Sequence, residues 1–265
     1  MHPTLFKIGN FPVQSYGVLL VIGFIVAITL SARRAHLFGL TADNIYDLSL
    51  PVIFAGVLGA RGFYIVQEWS YFSQHPEKLF SLRFDGLTSF GGFVMGGLAL
   101  LGWCRWKKVS VVRVIDCIAP GLLVANAIGR LGCLANGCCH GLASDAWCAV
   151  VQGANRDQHY LPAQLIEVGL DLAFAGLLAR WTPRFLRWPG LVGGWSLALL
   201  GLGRFIYEFW RAGSREDVAN GLASSTRIPG LLITEAQVMA LAFVVVGCVV
   251  AMAAKRRPPE TGETT

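Results

Sequence analysis

Residues 15–34 read SYGVLLVIGFIVAITLSARR, eighteen uncharged residues followed by Arg33 and Arg34. About 20 apolar residues in one helix cross the ~30 Å hydrocarbon core of a bilayer. Two arginines directly after such a block form a stop-transfer signal. A cleaved signal peptide would carry a basic cluster before the block and small-x-small residues after it, and both are missing here. The block is therefore predicted to be a retained membrane-spanning helix.

Similar blocks recur along the 265 residues, of which 54% are hydrophobic and 14% charged. Soluble domains carry about 25% charged residues, so this composition excludes a soluble Rossmann-type enzyme, a disordered chain and a disulfide-stapled secreted module. The sequence predicts an all-α polytopic membrane protein with one integral domain over 1–257 and a disordered tail over 258–265. The seven expected spans are 15–32, 46–66, 88–104, 111–134, 164–181, 190–209 and 232–254.

The basic residues between these blocks predict the orientation. Alternate connections hold twelve of them: Arg33, Arg34, Arg105, Lys107, Lys108, Arg113, Arg180, Arg184, Arg187, Lys255, Arg256 and Arg257. The other side holds seven: Lys7, Lys78, Arg83, Arg156, Arg211, Arg215 and Arg227. Because basic residues concentrate in cytoplasmic connections, we expect the N-terminus outside and the C-terminus in the cytoplasm. This bias also explains the formal charge of +6 without a nucleic-acid partner.

Three of the 22 basic residues remain, and they lie within or at the outer ends of apolar blocks: Arg61, Arg130 and Arg204. An arginine at mid-membrane depth costs about 2.5–3.5 kcal/mol, so it is kept where it pairs, lines a wet cavity or snorkels to the interface. Guanidinium groups bind phosphate oxygens in bidentate fashion. We therefore expect a cationic cavity open to the outer leaflet, occupied by an anionic phospholipid. An ion pair between Arg204 and Glu208, four residues apart, is the structural alternative.

Residues 129–141 read GRLGCLANGCCHG and admit three interpretations. The first is a metal site, because Cys133, Cys138, Cys139 and His140 lie within eight residues. Zinc sites generally use separated cysteine pairs, and adjacent cysteines form an awkward chelate, so no metal is predicted. The second interpretation is one disulfide on an oxidising outer face, formed within the set Cys138, Cys139 and Cys148.

The third interpretation is a family resemblance. The segment resembles the signature of bacterial prolipoprotein diacylglyceryl transferases, approximately G-R-x-G-N-F-x-N-x-E-x-x-G, and matches it at Gly129, Arg130, Gly132, Asn136 and Gly141. Further pieces resemble the family in the same order along 12–240: Ser15-Tyr16-Gly17, Gly59-Ala60-Arg61 with Tyr64, Gly91-Gly92, Leu161-Pro162-x-Gln164-Leu165-x-Glu167, Arg204-Phe205-Ile206-x-Glu208-Phe209-x-Arg211 and Thr234-x-Ala236-Gln237.

Three positions depart from the family pattern. Cys133 and Cys138 replace the asparagine and glutamate of the signature, and Phe90 stands where the family has a functional histidine. The chain is therefore identified as a divergent member with a Cys-rich signature. The departures leave the general base open, and His140 is a candidate on spacing alone.

The resemblance implies an enzyme of the bacterial plasma membrane with its site facing the outer leaflet and with no cofactor. It implies transfer of the diacylglyceryl group of phosphatidylglycerol to the lipobox cysteine of a prolipoprotein signal peptide, which forms a thioether and releases glycerol phosphate. Arg130 and Arg204 are expected to hold the phosphate, with His140 as the candidate base. Substrate contacts are expected from Tyr16, Arg61, Asn136, Gly141, Gln164 and Glu208. The alternatives are a catalytically altered paralogue and an anion or lipid transporter using the same cavity.

Overall fold

The computed structural model describes residues 4–8, 11–78, 88–152 and 158–258. Its helices are α1 Ser15–Arg34, α2 Ala42–Gln67, α3 Trp69–Phe72, α4 Ser89–Lys107, α5 Val111–Asn136, α6 Ala163–Phe185, α7 Leu191–Tyr207, α8 Arg215–Ala219 and α9 Glu235–Arg256. Its strands are β1 Thr4–Ile8, β2 Phe11–Gln14, β3 Val150–Val151, β4 His159–Tyr160, β5 Ala212–Gly213 and β6 Ser225–Thr226. Arg83, Arg156 and the predicted tail beyond residue 258 lie outside the described residues.

The chain is mostly helical, and each of the seven predicted blocks falls on a helix. Four described helical segments are long and apolar enough to cross a membrane: Ser15–Phe38, Ala42–Gln67, Val111–Asn136 and Glu235–Arg256. Their surfaces carry large apolar side chains that face away from the protein, such as Phe54, which is 72% exposed. Such a surface is stable against lipid rather than water, so the chain is an all-α membrane protein. The count of seven spans and the orientation stay predictions.

The connections also contain strands, which the sequence did not predict. β1 pairs with β2 and β3 with β4 in antiparallel fashion, while β5 pairs with β6 in parallel. Each pair is only two strands wide. The pair β3–β4 lies in the connection between α5 and α6, and β5–β6 lies in the connection between α7 and α9, whereas β1–β2 precedes α1.

The chain divides into two compact units, residues 32–114 and residues 1–31 with 115–265. In the first of these, α2 and α4 approach closely at glycines. A β-carbon on Gly91 would collide with the Gly59 carbonyl and the Phe63 side chain. Small residues at such crossings let two membrane helices pack backbone against backbone.

In the second unit, α5 and α7 begin together and the functional residues lie at their far ends. Asp116 near the start of α5 accepts hydrogen bonds from the backbone nitrogens of Gly190 and Gly193 at the start of α7, both at 2.6 Å. These bonds satisfy backbone donors that a helix N-terminus otherwise leaves unpaired. At the other end, Gln237 in the first turn of α9 donates to the Phe205 carbonyl of α7 at 3.3 Å. The end of α7 therefore meets the start of α9.

Candidate active site

Three arginines surround one buried aromatic ring where α7 ends. Tyr207 is 1% exposed, and the guanidinium carbons of Arg130, Arg204 and Arg211 lie 5.4, 4.9 and 5.5 Å from its ring centroid. Arg211 also donates to the Tyr207 hydroxyl at 3.1 Å. An aromatic face attracts cations by its quadrupole, so the ring lets the three positive groups approach one another.

Two carboxylates balance part of this charge. Glu167 on α6 pairs with Arg130 at 2.6 Å, and Glu208 pairs with Arg204 at 3.4 Å and with Arg211 at 3.1 Å. Three guanidinium groups against two carboxylates leave a positive balance. The carboxylates are almost fully buried, whereas the side chains of Arg130 and Arg204 are 19% and 30% exposed. The accessible part of the cluster is therefore cationic.

The predicted arginines belong to both units of the chain. Arg130 and Arg204 share the Tyr207 ring, whereas Arg61 belongs to the unit formed by residues 32–114. There Arg61 donates to the Lys78 carbonyl at 3.1 Å, and its guanidinium carbon lies 5.3 Å from the centre of the Phe72 ring. These contacts connect α2 to the segment that follows it. The Arg204–Glu208 ion pair, the structural alternative, is present.

Sequence reasoning left Tyr207 and Arg211 out of the site. The charge count placed Arg211 in an external connection, but it is only 6% exposed and contacts Tyr207 and Glu208. The signal was available in the spacing: Arg204, Tyr207, Glu208 and Arg211 follow the i, i+3, i+4, i+7 pattern of one helix face. Glu167 was named only within the piece Leu161–Glu167 that resembles the family, because a partner 37 positions away in Arg130 cannot be inferred from spacing.

Next to this cluster, the end of α5 folds three thiols together. The Cys138 nitrogen donates to the Cys133 carbonyl at 3.0 Å and the Gly137 nitrogen to the Leu134 carbonyl at 3.1 Å. This is the Schellman pattern, with Gly137 at φ +74° in the left-handed position that it requires. The motif places Cys138 directly against Cys133. Cys139 then takes φ +60°, and the Sγ atoms of Cys133, Cys138 and Cys139 all lie within 4.8 Å of one another.

The thiols sit in a positive environment. Hydrogen bonds from Cys133 and Cys138 hold the pKa of the Cys139 thiol well below its usual value, and the charges of Arg211 and Arg130 lower it further. Cys138, Cys139 and Cys148 all lie within the described ranges, and none of the three forms a disulfide. The disulfide considered from the sequence is therefore not formed here.

Two predicted substrate residues, Gln164 and Gly141, hold the backbone of residues 133–141, the cysteine segment. Gln164 is 1% exposed, and its amide nitrogen donates to the Cys138 carbonyl and to Gln152 Oε1, both at 2.7 Å. A β-carbon on Gly141 would lie 2.7 Å from the Leu161 carbonyl oxygen and 2.8 Å from that of Trp210. Gln164 and Gly141 therefore fix the backbone of the segment.

His140, the candidate base, is held at one ring nitrogen. Its Nδ1 lies 3.0 Å from the Gly141 carbonyl oxygen and 3.1 Å from Ser224 Oγ, and its ring lies 4.1 Å from that of Tyr160. Because a carbonyl oxygen only accepts, Nδ1 carries a proton and Nε2 is the basic nitrogen of the neutral ring. These contacts also tie the segment to the connection after α8.

Tyr16 and Asn136 lie at the accessible edge of the group. Tyr16 is 38% exposed, and its ring packs near Gly132, where a β-carbon would be 3.1 Å from Tyr16 Cδ2. Asn136 is exposed, and its side chain hydrogen-bonds with the Cys138 thiol. A separate open cavity of about 560 Å³ lies among Arg215, Arg227 and Glu235 and is lined by none of the predicted site residues.

A partly exposed cationic cluster suits the binding of a phosphate-bearing substrate, and the comparisons with known proteins agree. The sequence matches the prolipoprotein diacylglyceryl transferase family over residues 3–253. The chain belongs to this family. The phosphatidylglycerol–prolipoprotein diacylglyceryl transferase of Streptococcus uberis is 30% identical over 220 residues, which cover 81% of this chain and 85% of the relative.

Two clostridial relatives extend the match. The enzyme of the same name from Clostridium tetani is 27% identical over 223 residues, covering 83% of this chain and 89% of the relative. Phosphatidylglycerol–prolipoprotein diacylglyceryl transferase 2 of Clostridium perfringens is 27% identical over 237 residues, covering 88% and 91%. The family match over residues 3–253 therefore extends over both units.

Proposed function

We propose that this chain transfers the diacylglyceryl group of phosphatidylglycerol to a cysteine thiol of prolipoproteins, the first step of lipoprotein maturation. The family supports the reaction. The single structural observation that carries it is the pair of partly exposed guanidinium groups, Arg130 and Arg204, on the Tyr207 ring. The acceptor is the lipobox cysteine at the end of a signal-peptide helix, and both substrates enter from the bilayer.

In this mechanism Arg130 and Arg204 hold the lipid phosphate. Sulfur attacks the glyceryl carbon next to the phosphate, the carbon–oxygen bond breaks, and its electron pair stays on the phosphate oxygen. Fixed positive groups in a water-poor site stabilise this developing charge strongly. Glu208 and Glu167 act through the arginines: each carboxylate fixes one face of a guanidinium and leaves its other donors free.

The remaining predicted residues take different roles. Tyr16 and Asn136, which are accessible, hydrogen-bond head-group oxygens. Gln164 and Gly141 act by holding the cysteine segment, because both are buried within it. We assign His140 to positioning of the cysteine segment through the contacts of Nδ1, which leave Nε2 as the nitrogen that a base would use, and we assign Arg61 to orientation of the segment after α2.

The same proposal includes the topology. α4, α6 and α7 are the spans that complete the seven, with the N-terminus outside and the C-terminus in the cytoplasm of a bacterial plasma membrane. α7 has 17 residues, a length of roughly 25 Å at 1.5 Å per residue. The 3₁₀ turn Glu208–Trp210 extends it to the arginine cluster. In this orientation the cluster faces the outer leaflet.

The test is transfer of radiolabelled diacylglyceryl from phosphatidylglycerol to a lipobox peptide in detergent or vesicles. We expect Arg130→Ala and Arg204→Ala to lower the rate by about 10²–10³, the usual effect of removing one preorganised donor. Arg187→Ala, an exposed arginine beyond α6, is the matched control and should keep the wild-type rate. Full activity in Arg130→Ala would remove the phosphate-binding proposal, and an inactive wild-type protein would indicate the altered paralogue.

A further inference from the structure

The cluster of Cys133, Cys138 and Cys139 has no role in the mechanism above. Within the described part of the chain, this is the only group of histidine, cysteine or carboxylate side chains whose ligand atoms lie close enough to share one metal ion. The three Sγ atoms are within 4.8 Å of one another, and all three thiols are free. His140 is not part of the group, and its Nδ1 is engaged by Gly141 and Ser224.

The backbone holds the three thiols together. The Schellman motif sets Cys138 against Cys133, and Gln164, fully buried, fixes the Cys138 carbonyl at 2.7 Å. Cys139 adopts φ +60°, a conformation that is unfavourable for a residue with a β-carbon and occurs where surrounding contacts impose it. With this backbone conformation, the thiol of Cys139 lies toward those of Cys133 and Cys138. The adjacent cysteines that argued against a chelate in the sequence therefore become compatible with one.

The geometry is close to that of a three-sulfur metal site. Zinc–sulfur bonds of about 2.3 Å place tetrahedral ligand sulfurs about 3.8 Å apart. The observed limit of 4.8 Å requires the sulfurs to move by about 1 Å at most. A disulfide would need a sulfur–sulfur distance of about 2.05 Å and would leave the third thiol unused.

We propose that Cys133, Cys138 and Cys139 bind Zn²⁺ through three thiolates and that the open fourth position receives the thiol of the acceptor cysteine. Three protein ligands with one open position are the arrangement of catalytic zinc sites, whereas structural sites use four. Two of the three ligands are the positions at which this chain departs from the resembled signature, Cys133 and Cys138. The inference rests on the proposed function, because that function supplies the thiol.

The zinc ion would activate the acceptor thiol, a step to which the proposed function assigns no base. A thiol that coordinates Zn²⁺ loses its proton, here to solvent. The zinc-bound sulfur gives an electron pair to the glyceryl carbon, the carbon–oxygen bond breaks, and the pair leaves on the phosphate oxygen. The thioether is a weaker ligand than the thiolate and departs. Arg130 and Cys133 are three residues apart on α5 and are therefore neighbours on one helix face, which would place the phosphate site beside the metal.

The first measurement is the metal content of the full-length protein purified without chelator. We expect about one zinc ion per chain in the wild type and in Cys248→Ser, a control cysteine outside the cluster. Cys139→Ser and Cys138→Ser should hold substoichiometric zinc while retaining the wild-type elution volume. A wild-type protein without zinc that also fails to bind added Zn²⁺ would overturn the inference, as would thiols that react with a maleimide only after reduction, since these would indicate a disulfide.

The second measurement does not depend on variants or on turnover. Co²⁺ added to the metal-free wild type should give a thiolate charge-transfer band in the near ultraviolet. A lipobox peptide should shift this band, and the same peptide with serine in place of the acceptor cysteine should not. A band that the cysteine peptide leaves unchanged would refute the open fourth position.

The two proposals fail in different ways. Lipid transfer by a protein that binds neither Zn²⁺ nor Co²⁺ would leave the enzyme function standing and remove the zinc site. Stoichiometric zinc and a peptide-dependent shift without any transfer would support the site and contradict the enzyme function.

Discussion

Arg211 illustrates how one residue can change the interpretation of a site. It is nearly inaccessible and donates to both Tyr207 and Glu208, and Arg204 pairs with the same carboxylate oxygen, Oε2. Glu208 is fully buried. One buried carboxylate therefore holds both Arg204 and Arg211.

Removal of Arg211 should destabilise the protein more than removal of an exposed arginine. Arg211→Ala leaves Glu208 with one partner at 3.4 Å, and breaking a buried pair costs about 3–5 kcal/mol. We expect a clear fall in the unfolding temperature in detergent, and a smaller fall in Arg211→Ala combined with Glu208→Gln. Arg215→Ala, four residues further on and exposed, should change stability by about 0.5 kcal/mol or less. Equal effects of the two single variants would contradict the pairing.

Substitution of His140 distinguishes a positioning role of this residue from a role as the general base. Its Nδ1 lies near the Gly141 carbonyl and Ser224, so loss of the ring should loosen the cysteine segment without removing the reacting group. We expect His140→Ala to lower transfer by less than about tenfold, below the roughly 10²–10⁴ typical of a general base or acid step. The pH profile of the transfer rate should keep its shape. A larger loss in a folded protein, together with a flattened pH profile, would make His140 the base.

At the scale of elements, the sequence predicted where helices lie better than where they begin. The predicted span 46–66 is observed as the helix Ala42–Gln67. The helix begins four residues before the predicted span because Thr41 and Asn44 form a capping box at its start. Likewise Thr234 and Gln237 cap α9, which starts at Glu235 rather than at 232. Apolar length reports membrane thickness, whereas side-chain caps set the helix ends, so the two signals differ by a few residues.

The cysteine segment is the element whose shape the spacing could not show. The Schellman closure that joins Cys138 to Cys133 depends on the φ of Gly137, which the order of residues does not reveal. Its fit against two other connections depends on Gly141, which lies between the Leu161 and Trp210 carbonyls. Such contacts join residues far apart in sequence.

Substitution of Gly141 should therefore disturb the whole segment. The β-carbon of Gly141→Ala meets backbone atoms that cannot turn away, and overpacking of this kind costs about 1–3 kcal/mol. Gly129→Ala on α5 is the matched control, because a β-carbon there meets nothing within 4 Å. Helix propensity should leave its stability unchanged or raise it by up to about 1 kcal/mol. Thermal unfolding of both variants measures the difference, and a Gly141→Ala protein as stable as the control would contradict the packing.

At the scale of the whole molecule, composition and block length were enough to predict an all-α membrane protein, since both reflect the solvent that the chain must face. The pairing of Arg130 with Glu167 and the sharing of Tyr207 were not predictable, because they depend on how α5, α6 and α7 are arranged. The family resemblance predicted which residue types occur and in which order, whereas the contact partners of these residues are seen only in the structure.

The number of spans decides on which sides the two ends of the chain lie. Four helical segments meet the length and composition of a span on their own, and an even number would put both termini on one side of the membrane. The seven proposed spans put them on opposite sides, with twelve basic residues in the cytoplasmic connections.

Alkaline phosphatase is active only outside the cell, so its fusions report the side of each connection. We expect an active fusion in the connection after α5 and an inactive one at the C-terminus. A four-span protein with the N-terminus outside would give the reverse at both positions. The connection after α1 is cytoplasmic in either case and serves as the control. An active C-terminal fusion would therefore reject seven spans and, with them, the placement of the arginine cluster at the outer leaflet.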